Sequence, residues 1–317
     1  MADTGLGMWG PPLAIFSGAI RVSTPFLYVS LGECITERSG RINLGLEGTL
    51  ILGAMTAYAI SYLTGGAFGP YLAPWIGVLA AGAVGMALGF IHAALCQRPR
   101  VNDIAVGIAL MLFGIGLAFY LGKPFIKPQA PHLQAIPFGF WSSNGAIKSA
   151  LDVNLLFIIG VCLAPLLSWG FKNTRWGLIL RTVGESADSA RAMGYSVNRV
   201  RMIATMAGGF LAGIGGSFLS LYYPGAWNEG LSSGQGLIAV ALVIFARWKP
   251  MYCLWAALLF GGAGALGPSL QAFGFSKGYY LISATPYALT LIIMIITCST
   301  KRTFVGAPAE LGAASFT

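Results

Sequence analysis

One twelve-residue stretch, Glu37–Gly48 (ERSGRINLGLEG), gathers carboxylates, guanidinium groups and an amide between two long apolar runs. Asn43 and Glu47 are four residues apart and share a face if the chain is helical there. A long apolar run follows Glu47, which places this carboxylate at membrane depth, where a charge costs about 2.5–3.5 kcal/mol on insertion scales and turns toward the bundle interior. Two readings stay open. Glu47 lines a polar pathway or a helix break, or it closes an interhelical hydrogen bond or an ion pair with Arg38 or Arg41. Catalysis would need converging ionisable groups. Glu33 and Glu37 are four apart, but no third group joins them in sequence. His92 and His132 stand alone, and Cys34, Cys96, Cys162, Cys253 and Cys298 form no C-x-x-C pair, which gives no pattern for a metal, a cofactor or a disulfide framework.

A second stretch concentrates cations. Lys172, Arg175, Arg181, Arg191, Arg199 and Arg201 lie between Phe171 and Arg201, and Arg98, Arg100, Arg247, Lys249, Lys301 and Arg302 flank other apolar runs. Glu185 to Ala192 reads as a short amphipathic helix that Gly194 ends. Such a helix either offers its polar face to a partner or lies on the membrane surface.

The elements that hold these groups must be membrane helices. Of 317 residues, 56% are hydrophobic and 9% charged, and mean hydropathy is +0.74. A soluble domain carries about a quarter of its residues as charges. Continuous apolar stretches of about 20 residues exclude a barrel and predict an all-α, polytopic transmembrane bundle of about 8–10 spans. Nine are expected, over 13–36, 42–62, 71–97, 101–121, 151–171, 201–223, 235–248, 250–272 and 279–298. The net charge of +9 sits where the positive-inside rule puts it, which argues against nucleic-acid binding. With the 172–201 loop inside, 98–100, 247–249 and 301–302 fall inside as well, and the N-terminus and the Pro-rich 122–150 loop fall outside. The start MADTGLGMWG has no basic n-region and is not expected to be a cleavable signal. Residues 1–302 are expected to form one transmembrane domain, with 172–200 as its cytoplasmic loop. The tail 303–317 is expected to be cytoplasmic and poorly ordered. Gly85 with Gly89, Gly209 with Gly213, and Gly208, Ala212 and Gly216 have the spacing that lets helix backbones approach closely. No G-x-x-x-x-G-K-[ST] occurs, so the chain carries no P-loop for ATP.

Three segments, SGRINLGLEGTLILGAM, RTVGESADSARAMGYSVNRVRMIATMAGGFLAGIGG and GLIAVALVIFARWKPMYCLWAALLFGGAGAL, closely resemble permease subunits of bacterial ABC importers in the branched-chain amino acid/ribose permease family, nearest to its nucleoside and simple-sugar branch. The similarity runs from about Glu37 to Leu266. It implies a multi-pass protein of the bacterial inner membrane, paired with a second permease, a cytoplasmic ATPase that binds the ATP, and an extracytoplasmic binding protein. It also implies the broken-helix architecture of cobalamin-importer type, often counted as ten spans, from which the count of nine departs. In the family the loop helix is the coupling element. Carried onto this sequence, the coupling contact falls on Arg181, Gly184, Glu185, Ala190 and Gly194.

A neutral polar cargo such as a nucleoside or sugar calls for hydrogen-bonding groups and aromatic faces. Asn43, Asn102, Gln235 and Trp227, with Asn228, have that chemistry, and each has an alternative structural role. Asp103, beside Arg100, reads as a helix-start or ion-pair residue. The competing reading is an ion-coupled secondary transporter with Glu47, and less strongly Glu33, as the ion-carrying acid.

Overall fold

A computed structural model of the chain describes residues 10–98, 100–273, 278–297 and 306–313. The described residues form a helical bundle. Six helices are long and apolar enough to cross a membrane. They are α1 (Gly10–Arg38), α2 (Leu46–Cys96), α3 (Asp103–Gly122), α5 (Leu155–Asn173), α8 (Val197–Leu221) and α10 (Pro250–Ala272). Shorter helices are α4 (Gly145–Ala150), α6 (Arg175–Glu185), α7 (Ala187–Ala192), α9 (Gln235–Phe245), α11 (Tyr279–Ser283), α12 (Thr285–Thr297) and α13 (Ala309–Ala313).

The expected count of nine spans is therefore met in part, for three physical reasons. First, the 51-residue α2 is not straight. Gly69 takes φ 74° and ψ 174°, a region that glycine accepts, and Pro70 after it lacks an amide donor. Gly77 packs against the Ala57 carbonyl. On a straight helix those residues would be about 30 Å apart, so α2 folds back into two antiparallel arms that coincide with the expected spans 42–62 and 71–97. Second, the expected span 235–248 is an 11-residue helix, roughly 16 Å long, half of a hydrocarbon core of about 30 Å. Third, the expected span 279–298 is divided at Ala284 between α11 and α12, just before Pro286.

The glycine spacing has the expected consequence. Gly85 lies on the Gly209 carbonyl, Gly89 on Thr205, and Gly216 on the Leu50 carbonyl. A methyl group added to Gly53 would stand 2.8 Å from the Cα of Gly213. Both arms of α2 thus meet α8 backbone to backbone. Among the six long helices α8 is the most buried, while α3 and α5 are the most exposed and carry much of the apolar surface open to lipid.

The basic segments converge on one end of the bundle. Arg38 Nε donates to the Trp248 carbonyl at 2.9 Å, Arg201 Nε to that of Ser39 at 3.1 Å, and Arg41 Nη2 to that of Cys96 at 2.7 Å. The loops around 98, 172–201 and 247–249 therefore share a face, as the charge pattern requires. Lys301 and Arg302 lie outside the described residues. At the opposite end, 123–154 forms a cap. Its strands β1 (Ala135–Pro137) and β2 (Asp152–Asn154) pair antiparallel, Ser61 Oγ donates to the Pro131 carbonyl at 2.8 Å, and the Leu133 amide donates to the Leu221 carbonyl at 2.9 Å.

The expectation of a poorly ordered tail needs correction for its described residues. Residues 306–313 pack on the basic end: Glu310 accepts from the Ala187 amide at 2.8 Å and from Arg201 Nη2 at 2.9 Å, and Leu311 is buried. One carboxylate and one larger apolar side chain in a segment of mostly small residues supply both contacts.

Candidate functional site

Two constellations stand out, a buried polar seam at the helix breaks and an exposed loop at the basic end. The seam begins where α1 ends. The chain turns at Gly40 and re-enters the bundle before α2 starts. Gly48 packs against Met111, eight residues into α3, which puts the start of α2 roughly 12 Å inside the bundle. Glu47 is buried there. Its Oε1 accepts from Ser232 Oγ and from the Gly234 amide, the latter at 3.1 Å, and its Oε2 accepts from the Gly236 amide at 2.6 Å. Glu47 thus caps the N-terminus of α9 from another helix, supplying acceptors to amides that a helix start leaves open and a negative group to the positive end of its dipole. Of the two readings of Glu47, the interhelical hydrogen bond is present. The ion pair with Arg38 or Arg41 is not: Arg38 holds Trp248, and Arg41 pairs with Asp103.

Asn43 joins the seam from the re-entrant loop. Its amide donates to Glu33 Oε1 at 2.7 Å, and its side-chain oxygen accepts from the Gly45 amide at 2.9 Å. Gln235 opens α9, one residue from the Gly236 contact, and its Oε1 is buried without a hydrogen-bond partner among the described residues. Asn43, Glu47 and Gln235 are brought together. Asn102 and Trp227 are not. Asn102 caps α3, accepting from the Ile104 amide at 2.8 Å, and the buried Trp227 donates from Nε1 to the carbonyl of Gly122 at the far end of the same helix, at 3.0 Å. Asn228 accepts from the Gly230 amide within its own loop. Asp103 is the ion-pair residue its sequence position allowed, with Arg41 rather than Arg100 as partner. Glu37 accepts from the Trp248 indole N–H. Ser232 and Gly234 were not among the sequence candidates, and no local pattern marks them.

The exposed loop contains two helices where the sequence suggested one. Ser186 separates α6 from α7 and caps α7, its Oγ accepting from the Ser189 amide at 3.2 Å. Leu180, Val183, Ala187 and Ala190 pack with Val197, Val200 and Ala204 of α8, which fixes the loop to the bundle. Gly184 is buried against the Arg38 carbonyl at the end of α1, and Arg181 donates from Nε to the Gly177 carbonyl at 3.3 Å. Ala190 is buried. Glu185, Asp188, Arg191 and Gly194 are exposed, Asp188 and Arg191 pair at 2.6 Å, and Gly194 ends α7 with φ +83°. Of the five expected coupling residues, then, Gly184 and Ala190 are buried, Arg181 is half-buried, and Glu185 and Gly194 are exposed.

Buried small-residue packing and broken apolar helices define a polytopic membrane helical bundle. Comparison with known proteins gives its family. A family model described as branched-chain amino acid transport system / permease component matches residues 15–298, and the chain belongs to that family of ABC permeases. It is 34% identical over 289 residues to the guanosine ABC transporter permease protein NupQ of Bacillus subtilis, covering 86% of this chain and 88% of the relative. It is 33% identical over 268 residues to a putative glucose ABC transporter permease protein of Haloferax volcanii, covering 80% and 76%. It is 27% identical over 292 residues to the nucleoside ABC transporter permease protein NupC of Lactococcus lactis, covering 89% and 91%. As an importer permease the chain moves its cargo without catalysing a reaction, and the ATP is bound and hydrolysed by a separate ATPase subunit working with a substrate-binding protein.

Proposed function

We propose that this permease carries nucleosides or simple sugars across the bacterial inner membrane as one half of a permease heterodimer. The names of its relatives support the substrate class. The polar seam supports it physically: the buried Gln235 oxygen and the Asn43 turn offer hydrogen-bonding chemistry without a ring of charge, suited to a neutral cargo. Re-entry before α2 and the half-length α9 support a broken-helix architecture of cobalamin-importer type. The coupling role of Arg181, Gly184, Glu185, Ala190 and Gly194 is part of the same reading. ATP-driven closure of the ATPase dimer pushes on the exposed α6–α7 face, and the packed inner face passes the displacement to α1 and α8. One observation favours this over the ion-coupled alternative. Both oxygens of Glu47 already accept hydrogen bonds from the chain itself, which leaves that carboxylate poorly placed to bind and release a transported ion.

Reconstitution tests the proposal. The chain, its second permease, its ATPase and its binding protein are expected to accumulate a labelled nucleoside or hexose in proteoliposomes on ATP addition, insensitive to ionophores. Accumulation of leucine with no nucleoside or sugar uptake would overturn the substrate class. The orientation has its own test. In a background without the native cysteines, Phe140→Cys should react with an impermeant maleimide in intact cells and Asp188→Cys only after permeabilisation, both positions being well exposed. Equal labelling from outside would reverse the proposed arrangement.

A further inference from the structure

Where α1, α5, α6 and α10 meet at the basic end, a cavity of about 320 Å³ is lined by Arg38, Lys172, Arg181 and Lys249, together with Trp248 and Tyr252. Each cation comes from a different element: the last residue of α1, the last turn of α5, the middle of α6 and the residue before α10. No carboxylate is among the lining residues. The neighbouring Glu37 is buried and committed to the Trp248 indole. Arg38 and Arg181 each use Nε on a backbone carbonyl, and among the described residues no hydrogen bond within the chain engages their terminal nitrogens. The N-terminus of the 23-residue α10 adds the positive end of a helix dipole. Four like charges around one cavity repel one another, and an anion seated among them turns that repulsion into charge-assisted hydrogen bonding.

A second, apolar groove of about 330 Å³ runs along α5, α6 and α8, lined by Ile35, Leu166, Trp169, Trp176, Ile203 and Ala207. Phe171 borders both spaces. Trp169 and Trp176 are exposed, as aromatic side chains at the headgroup level of a bilayer are. We propose that the basic cavity holds the phosphate of an anionic phospholipid, with an acyl chain lying along the adjoining apolar groove. Basic pockets between membrane helices suit such headgroups, and the pairing of a cationic cavity with an apolar groove matches the two ends of a lipid rather than a free anion.

The test uses the full chain purified with its partner subunits and placed in nanodiscs of mixed phosphatidylglycerol and phosphatidylcholine. Native mass spectrometry then counts the lipids retained on ejection. The wild type is expected to retain phosphatidylglycerol preferentially. Lys172→Gln with Lys249→Gln, both exposed positions outside the coupling set, should cut that preference roughly 30-fold, five- to sixfold per charge. Lys123→Gln with Lys148→Gln at the opposite end should leave it unchanged. Unfolding midpoints in pure phosphatidylcholine should agree for all three proteins, which separates lipid binding from folding. Equal retention of both lipids by the wild type would overturn the proposal. So would displacement of the lipid by millimolar inorganic phosphate at constant ionic strength, which would mark a free-anion site. Unchanged lipid retention in the Lys172/Lys249 variant, with weakened ATPase association, would assign the cavity to a protein contact and overturn it equally.

Discussion

Replacing Glu47 by alanine is expected to lower the unfolding midpoint of the detergent-solubilised protein by about 5–10 °C and to abolish ATP-driven uptake. The substitution leaves Ser232 Oγ and the amides of Gly234 and Gly236 facing each other across a buried gap. Hydrogen bonds to charged groups contribute about 1.5–3 kcal/mol each, and buried donors without partners cost a further 1–3. Because the three share one acceptor group and do not add, a loss of about 3–5 kcal/mol follows. Glu47→Gln separates capping from mere volume. The amide keeps one acceptor oxygen but turns an NH2 group toward backbone donors, and an intermediate loss is expected. If Glu47→Ala were as stable as the wild type, α9 would not depend on this cap. If the variant were stable but inactive, Glu47 would act on the cargo directly.

Glu185→Arg should do the reverse: leave the fold intact and break function. Glu185 is the last residue of α6 and is exposed, and among the described residues its side chain makes no hydrogen bond or ion pair. Surface substitutions of this kind change stability by about 0.5 kcal/mol or less, so the unfolding midpoint should move by no more than about 1 °C. If the α6–α7 face docks into the ATPase, reversing a charge at its centre should reduce coupled uptake by tenfold or more, the range of an interface hot spot of roughly 2 kcal/mol. Substrate-stimulated ATP hydrolysis should fall in parallel. Full uptake by the Glu185→Arg protein would move the coupling contact elsewhere. Gly194 is the poorer test, since its φ of +83° makes any side chain there a backbone perturbation too.

These two residues show what a sequence of this kind discloses and what it withholds. The lipid environment, the apolar runs and the pairs Gly85–Gly89 and Gly209–Gly213 were legible because each is a local pattern read against a bilayer. The common face of Arg98, Arg201 and Lys249 was legible because insertion sorts charge by side. The seam was half legible. Glu47 announced itself as a carboxylate before an apolar run, but its partners lie some 185 residues later, in a Gly- and Ser-rich connection that reads as an ordinary loop. The depth at which α9 starts is set by that connection, pinned through Trp227 on Gly122, and no periodicity within α9 records it. Glu310 escaped for a related reason: a lone acid in a tail of mostly small and apolar residues has no local signature, and its meaning comes from the Ala187 amide and Arg201 on the bundle. The 51 residues of α2 were legible as two spans, because the non-helical Gly69 divides them into two helices that fold back on each other.

The backbone-to-backbone seating of α8 in the fold of α2 has a mechanical corollary. A seam filled by long side chains can slip by letting those side chains change rotamer, as sliding helices do. Here little stands between the chains to rearrange. A one-residue slip would drive the Cβ of Ala81 or Ala212 toward peptide groups that now face glycine. Such a joint resists shear, so α2 and α8 should travel through the transport cycle as one stiff beam. The seams of α1 with α8, at Gly32 and Gly208, and with α10, where Gly261 meets Ser23 and Ala19, are built the same way, so the give needed for alternating access must reside outside them, at the short helices after α10, and inhibitors that wedge there should arrest the cycle more readily than any that aim at the beam.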